Sequence, residues 1–117
     1  MEELNSLFIL EDSLLNDACI KISNTKQRCL LVVTSNNKLS GVLSEGDIIR
    51  ALIQGANSYS PIKDWITRDY KFLRKFNKKD AITVFKKYGI TVLPIVDKQM
   101  YVKSFISLYD LLEEINL

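Results

Sequence analysis

The sequence predicts an α+β fold in which two β-α-β-β-α repeats pack together with pseudo-twofold symmetry. The main observation is a gapless internal repeat. A Ser-x-x-Asp spacing at Ser44 and Asp47 returns at Ser107 and Asp110, an offset of 110 − 47 = 63 residues. The same offset aligns Leu10 with Leu73, Asp17-Ala18 with Asp80-Ala81, Leu30 with Leu93, and Val33 with Val96. Copies of roughly sixty residues bury their apolar faces poorly alone, so we expect a shared core with a cleft between the copies.

The first copy is assigned to residues 1–55. An apolar run at 7–10 predicts a strand, and Leu15, Ala18 and Ile22 mark one face of a helix with Ser13 as its expected cap. The remaining elements are two strands around a polar turn and a closing helix, expected at 29–33, 39–43 and 47–52. Residues 56–66 are read as a linker in which Pro61 opens a short helix through Trp65.

The second copy, residues 67–117, carries the same order of signals. Its strands are expected at 70–73, 92–96 and 101–106, and its closing helix at 110–115. Its first helix is predicted by apolar residues at i, i+3, i+4 and i+7, which are Ala81, Val84, Phe85 and Tyr88. Asn77 is the expected N-cap of this helix, and Gly89 is its expected C-terminal stop.

Composition excludes several classes of protein. The chain has 117 residues and a net charge of only +2, which does not favour a nucleic-acid or membrane-surface binder. The sequence shows neither an apolar run long enough to cross a bilayer nor a secretory signal. Its two cysteines, Cys19 and Cys29, are expected to be reduced thiols of a cytoplasmic protein. There is no histidine, which removes Ser-His and Cys-His nucleophiles and the commonest zinc ligand.

The Ser-x-x-Asp spacing admits two interpretations. A helix N-terminus attracts anions, so Ser44 could donate to a phosphate while Asp47 accepts hydrogen bonds from the hydroxyls of a ribose. Gly46 would leave room for a ligand to approach the backbone. The same spacing before an apolar run is also a capping box with no ligand at all. The residues alone leave both interpretations open.

Three segments together resemble a known family. They are GVLSEGDIIRAL (41–52), GITVLPIVD (89–97) and FISLYDLLEE (105–114), and they resemble the paired cystathionine-β-synthase-type (CBS) domain, or Bateman module, over essentially the whole chain. The resemblance implies a regulatory module that requires no cofactor. It implies binding of AMP, ADP, ATP or a related nucleotide between the repeats.

A narrower resemblance concerns the protein that such a module regulates. Residues 44–55 and 60–62 are similar to modules that precede sugar-phosphate nucleotidyltransferase domains in bacteria. This implies a catalytic domain, either attached or separate, as the regulated partner. The end of the chain at 113–117, within or just after a helix, favours a fragment of a longer protein.

The resemblance also implies two ligand sites. The first would use Ser44, Gly46, Asp47, Thr67, Tyr70, Lys71, Ile90, Thr91 and Val92. The second and weaker site would use Phe8, Arg28, Cys29, Phe105, Ser107 and Asp110. The second repeat has Ser104 where the first has Gly41, and Tyr109 where the first has Gly46, so we expect the Asp47 site to be the better one.

Three functions are compared. The leading hypothesis is a nucleotide sensor that biases an attached or partner enzyme. The alternative is a structural homodimerisation module with empty, degenerate sites, in which the closing helices pair through Ile48, Ile49, Leu52, Leu111, Leu112 and Ile115. An enzyme is not predicted, because Asp47 with Glu45, or Asp110 with Lys103, has no activated nucleophile, metal cluster or phosphate loop beside it.

A basic segment at 68–79 carries six basic residues against one acidic residue. Its interleaved aromatic residues permit a nucleic-acid reading, but alternation places Tyr70 and Phe72 on one face of a strand. A solvated basic face is the simpler interpretation, and a link to a phosphate-bearing ligand or an acidic partner stays open.

Overall fold

A computed structural model describes residues 3–115, and side chains through Glu114. The ends assigned to the two repeats, residues 1–2 and 116–117, lie outside the described part, as does the side chain of Ile115. The fold is α+β, as predicted. A 3-10 helix (Leu4–Leu7) precedes β1 (Phe8–Leu10), α1 (Leu15–Ser23), β2 (Cys29–Val33), β3 (Leu39–Ser44) and α2 (Glu45–Ile53). A second 3-10 helix (Ile62–Asp64) leads to α3 (Lys78–Tyr88), β4 (Val92–Val96), β5 (Val102–Ser107) and α4 (Leu108–Ile115).

The strand pairing repeats with the offset seen in the sequence. In the first repeat, β1 runs parallel to β2 and β2 runs antiparallel to β3, with Cys29 opposite Ser44. In the second, β4 runs antiparallel to β5, with Val92 opposite Ser107. Both hairpins are irregular at matching places, between Val32 and Val33 and between Ile95 and Val96. The duplication therefore extends to the register of the strands.

The core explains why β2 and β4 are buried at every position. Along β2, Leu30 and Val32 pack under the helices of their own repeat, while Leu31 and Val33 pack against the other repeat. Successive strand residues point to opposite faces, so a strand with both faces covered is apolar throughout. The shared cluster between the repeats contains Leu7, Cys29, Leu31, Val33, Leu39, Val92, Val96 and Val102.

The tips of the two hairpins are joined across the pseudo-twofold axis. Leu39 N–H donates to the Met100 carbonyl at 2.9 Å, and Val102 N–H donates to the Asn37 carbonyl at 3.2 Å. Asn37 and Met100 occupy matching positions, and both have a left-handed backbone, with φ of 67° and 73°. The axis therefore passes beside the bridge between Lys38 and Tyr101.

Several local predictions are confirmed. The Asn77 side chain accepts from the Asp80 N–H at 3.0 Å at the start of α3. Gly89 ends that helix with φ 66°, a conformation that glycine adopts without steric cost. Pro61 precedes the short helix that Trp65 ends, and Trp65 packs on the core of the first repeat.

Other local predictions are wrong. The cap of α1 is Leu14 rather than Ser13, and its backbone N–H is satisfied by the Asp17 carboxylate at 2.9 Å. Tyr88 does not share the buried face of α3, because it is 45% exposed.

The strand expected at 70–73 is reduced to one bridge between Leu73 and Ile95. Upstream, Thr67 pairs with Val42 at the edge of β3, so the chain reaches β4 only at Leu73. Tyr70 and Phe72 still face the shared core, with ring centroids 6.0 Å apart.

The basic segment is partly held by contacts within the fold. Arg68 donates to the Ser40 carbonyl, Arg74 to the Asp97 carbonyl, and Lys78 pairs with Glu114 at 3.2 Å. Among residues 3–115, no helix combines the length and apolarity that crossing a membrane requires.

Candidate functional site

A cavity of about 620 Å³ is lined by residues of both repeats. Its volume falls in the usual range for small-molecule sites. All nine residues expected to form the first site line it: Ser44, Gly46, Asp47, Thr67, Tyr70, Lys71, Ile90, Thr91 and Val92. Sequence reasoning therefore brought together residues that are up to 48 positions apart in the chain (92 − 44 = 48).

One wall of the cavity is the junction between β3 and α2. Ser44 ends the strand in an extended conformation and serves as the N-cap of the helix. Its hydroxyl accepts from the Asp47 N–H at 3.2 Å, and its own N–H donates to the Asp47 carboxylate at 2.9 Å. These reciprocal bonds form a capping box. The capping interpretation of Ser-x-x-Asp is thus realised in the structure, and a ligand role would be additional to it.

The Asp47 carboxylate is buried, with 5% of the residue exposed, and it is held from three sides. Besides the Ser44 N–H, it accepts from the Arg50 guanidinium at 3.0 Å and from the Thr67 hydroxyl at 3.2 and 3.3 Å. A carboxylate offers about four acceptor positions. The network orients Asp47 and leaves it little free capacity, so a ribose hydroxyl would bind there by displacing Thr67 or by using the remaining position.

Gly41 brings Thr67 into this network. A Cβ atom on Gly41 would lie 2.1 Å from Ile66 Cγ2 and 2.9 Å from the Thr67 carbonyl oxygen. Only glycine leaves room for the linker to run against β3, where Val42 and Thr67 exchange backbone hydrogen bonds of 3.0 and 2.9 Å. The first repeat has Gly41 where the second has Ser104, and the close approach of the linker to β3 explains the glycine in the first repeat.

The second repeat keeps the cap but not the network around its carboxylate. The Ser107 hydroxyl accepts from the Asp110 N–H at 3.2 Å, as in the first repeat. The residues at the positions of Thr67 and Arg50 are Leu4 and Glu113. The side chain of Leu4 cannot donate a hydrogen bond, and Glu113 carries the same charge as Asp110. The two helix N-termini are therefore chemically unequal.

The residues expected in the second site are distributed over several places. Arg28 and Cys29 line the cavity of the first site. Phe8 lines a smaller cavity of about 360 Å³ beside β1 and α1. Phe105 packs on the shared core, Ser107 is 1% exposed, and neither these two nor Asp110 lines the larger cavity.

Tyrosine rings and the cationic side chains of Arg28 and Lys71 form much of the remaining wall. Burial raises the pKa of Tyr70, whose hydroxyl donates to the Leu39 carbonyl at 3.4 Å. The Lys71 ammonium lies 4.5 Å from the centre of the Tyr88 ring. Burial, and secondarily the charge of Asp47, raises the pKa of the Cys29 thiol to about 12. Cys29 is therefore an uncharged wall residue at neutral pH.

Sequence reasoning missed part of the lining. The missed residues are Val42, Glu45, Asp69, Tyr88, Gly89 and Tyr109. Tyr109 was expected beside the second site, yet it lines the first cavity from the start of α4. Arg50 was also missed as a partner of Asp47, although its i+3 spacing on a helix was a usable signal.

The fold and the cavity define an internally duplicated α+β module with a ligand-sized hollow between its halves. The chain belongs to the CBS domain family, whose model matches residues 2–54 and 62–117. It therefore contains a tandem pair of CBS domains.

Two curated relatives of similar sequence are longer than this chain. An uncharacterized protein of Helicobacter pylori is 30% identical over 97% of this chain and 35% of its own length. Arabinose 5-phosphate isomerase GutQ of Escherichia coli is 27% identical over 80% of this chain and 30% of its own length. The chain spans about a third of the length of these relatives.

The fold is also that of solved CBS pairs. The CBS domain pair of protein MJ0100 was solved in complex with 5′-methylthioadenosine and S-adenosyl-L-methionine. It superposes with a TM-score of 0.80 at 21% identity, covering 94% of this chain and 91% of that chain.

Proposed function

We propose that this CBS pair is a regulatory module that binds an adenine nucleotide or a related adenosine ligand in the cavity between its repeats. The observation that carries the proposal is that all nine residues expected from the family pattern line one cavity. A buried carboxylate, a helix N-terminus and aromatic walls meet there, which suits a ribose, an anion and a base. The adenosine ligands of the MJ0100 domain pair support the same ligand class.

Regulation would act through the arrangement of the repeats. A ligand biases a protein only when it binds one arrangement more tightly than another. The cavity draws its lining from α2, the linker and the loop before β4, so a bound ligand would contact both repeats. We propose that the regulated partner is an enzyme domain that acts on a sugar phosphate, attached or separate. The nucleotidyltransferase implied by the sequence is one such class, and GutQ is an isomerase of a sugar phosphate.

The test is calorimetric titration of the protein with adenosine, AMP, ADP and ATP, using matched variants of the two repeats. Asp47→Asn keeps the size of the side chain and removes its charge, and Asp110→Asn makes the same change at the matching position. Asn is chosen because Asp47→Ala would remove the acceptor of the Arg50 guanidinium and of the half-buried Thr67 hydroxyl. We expect Asp47→Asn to weaken binding at least tenfold, since bonds to charged groups contribute about 1.5–3 kcal/mol.

The matched control decides the assignment of the site. Asp110→Asn should retain the affinity of the unchanged protein, because Asp110 does not line the cavity. Equal losses in both variants would contradict the placement of the ligand at Asp47. Absence of heat and of thermal shift with every adenosine compound would contradict the function itself.

A homodimerisation role is a second candidate, favoured by exposed apolar residues on α2 and α4. Ile49, Leu52, Ile53 and Leu112 are between 42% and 80% exposed. Ile48 and Leu111, expected on this face from the sequence, are buried in the cores of their own repeats and are not available for pairing. The same titration separates the candidates, because a purely structural module binds no adenosine compound and still forms dimers in light scattering.

A further inference from the structure

Features that occur in both repeats follow from the duplicated fold, so features of one repeat alone are the better guide to a ligand. The Glu45 N–H donates to the Arg28 carbonyl at 3.2 Å, and the Leu108 N–H donates to the Thr91 carbonyl at 2.8 Å. These bonds are equivalent under the offset of 63 residues, which pairs Arg28 with Thr91. The Arg28 carbonyl thus has a structural role that the Thr91 carbonyl fulfils equally well in the other repeat. This role does not explain why the side chain at position 28 is an arginine.

The backbone of Arg28 is strained beyond what that shared bond requires. Its φ is 58°, in the left-handed region. Within residues 3–115, the non-glycine residues with positive φ are Arg28, Asn37 and Met100, so Thr91 accepts the matching bond without this conformation. Strained non-glycine residues persist where the surroundings fix them, and they concentrate at ligand-binding sites.

The guanidinium group of Arg28 is available to a ligand. Its side chain is 67% exposed, and its ion pair with Glu45 is long, at 3.7 Å from Nε to Oε1. An exposed pair of this length contributes little stability. Arg28 and Glu45 both line the cavity at the N-terminus of α2, beside Asp47. An anionic group attached to a ribose at Asp47 would therefore lie near the guanidinium.

The second cation of the cavity, Lys71, also has no basic counterpart in the other repeat. Lys71 occupies the position of Phe8 in the first repeat, and it lies over the Tyr88 ring. The cavity also contains the carboxylates of Glu45, Asp47 and Asp69, which disfavour an anion unless cations compensate them. The cations therefore decide whether a phosphate chain is accepted.

We propose that Arg28 is the phosphate-binding residue of this cavity and that it selects adenosine ligands with a phosphate chain over adenosine itself. This inference rests on the proposed nucleotide-binding function. On binding, the guanidinium exchanges the Glu45 carboxylate for phosphate oxygens, to which it donates in a bidentate manner. Lys71 supplies the second positive charge as a point contact. Selection is strongest at low salt, because the exposed guanidinium is screened by ions.

The experiment compares a series of ligands across variants by calorimetry in magnesium-free buffer. Adenosine, AMP, ADP and ATP are titrated into the unchanged protein, into Arg28→Gln and into Lys98→Gln. Lys98→Gln removes the same charge from an exposed turn that does not line the cavity. We expect affinity to rise from adenosine to ATP in the unchanged protein and in Lys98→Gln. In Arg28→Gln we expect ATP to bind about tenfold more weakly while adenosine binds as before.

Arg28→Gly guards against a failure to fold. Glycine adopts positive φ without strain, so this variant should melt no lower than the unchanged protein and lose the same preference for ATP. An unchanged preference in either variant, or an equal loss for adenosine and ATP, overturns the role of Arg28 and leaves the proposed function standing. If no adenosine compound binds the unchanged protein, both proposals fail together.

Discussion

Replacing Gly41 by alanine tests how the linker is held against the site. The new Cβ would lie 2.1 Å from a methyl group of Ile66 and 2.9 Å from the Thr67 carbonyl oxygen, so the linker must move. Overpacking of this kind costs about 1–3 kcal/mol. The movement also weakens the hydrogen bonds of 2.9 and 3.0 Å between Thr67 and Val42, each contributing about 1 kcal/mol. We expect a loss of about 2–3 kcal/mol, or roughly 10 °C in Tm.

Chemical denaturation followed by circular dichroism measures this loss. Gly46→Ala is the matched control, because its Cβ would meet only the Ser44 hydroxyl at an ordinary 3.6 Å. Alanine is favoured over glycine within a helix, so Gly46→Ala should unfold no more easily than the unchanged protein. A Gly41→Ala protein that unfolds within about 0.5 kcal/mol of the unchanged protein would refute the close approach of the linker.

Two further predictions concern the surface and the cavity wall. Ile53→Glu places a charge on a residue that is 80% exposed, and it should convert any dimer that uses α2 into monomers in light scattering; a persistent dimer excludes this face. Burial raises the pKa of the Cys29 thiol from 9.0 to about 12, so between these values the unfolded chain releases a proton that the folded chain retains, and stability falls as pH rises. Cys29→Ala should therefore lose less unfolding free energy between pH 8 and pH 10 than the unchanged protein, and equal losses would contradict the shift.

The sequence predicted the fold well where the two copies agree. A gapless offset requires equal strand lengths, equal turns and the same register in both hairpins, and the structure has all three. Caps were predictable where a side chain of the right chemistry stood directly before the helix, as at Ser44 and Asn77. At α1 the cap is Leu14, and a carboxylate three residues later satisfies its N–H, which an inspection for polar caps does not detect.

The segment before Leu73 could not be predicted from local pattern. Its alternating aromatic residues indicate a strand, and they do face the shared core. Its hydrogen-bond pairing depends on a residue distant in the sequence, because the absence of a side chain at Gly41 allows Thr67 to pair with Val42 at the edge of β3. Whether a segment pairs with one strand or another depends on contacts remote in sequence, and these override local propensity.

The lining of the cavity was predictable as a set of residues but not as a network, and its role as a ligand site stays a prediction. The family pattern placed Asp47 and Thr67 in one cavity, and the structure adds that they bond to each other and to Arg50. Arg28 was expected in the second site, together with Ser107 and Asp110, but it lines the first cavity. The residue before it, Gln27, accepts a hydrogen bond from the Thr91 hydroxyl of the other repeat at 3.2 Å, so this part of the chain is adjacent to both halves.

The joined hairpin tips constrain how the two halves can move. Each of β3 and β5 begins at these tips, is six residues long, and ends at a helix N-terminus roughly 17 Å away. The tips are fastened by the Leu39–Met100 and Asn37–Val102 bonds. The far ends are joined as well, because the Thr91 hydroxyl donates to the Gln27 carbonyl at 3.2 Å and both Cys29 and Val92 belong to the shared cluster. A change in the arrangement of the two halves would therefore have to break contacts at both ends of the hairpins.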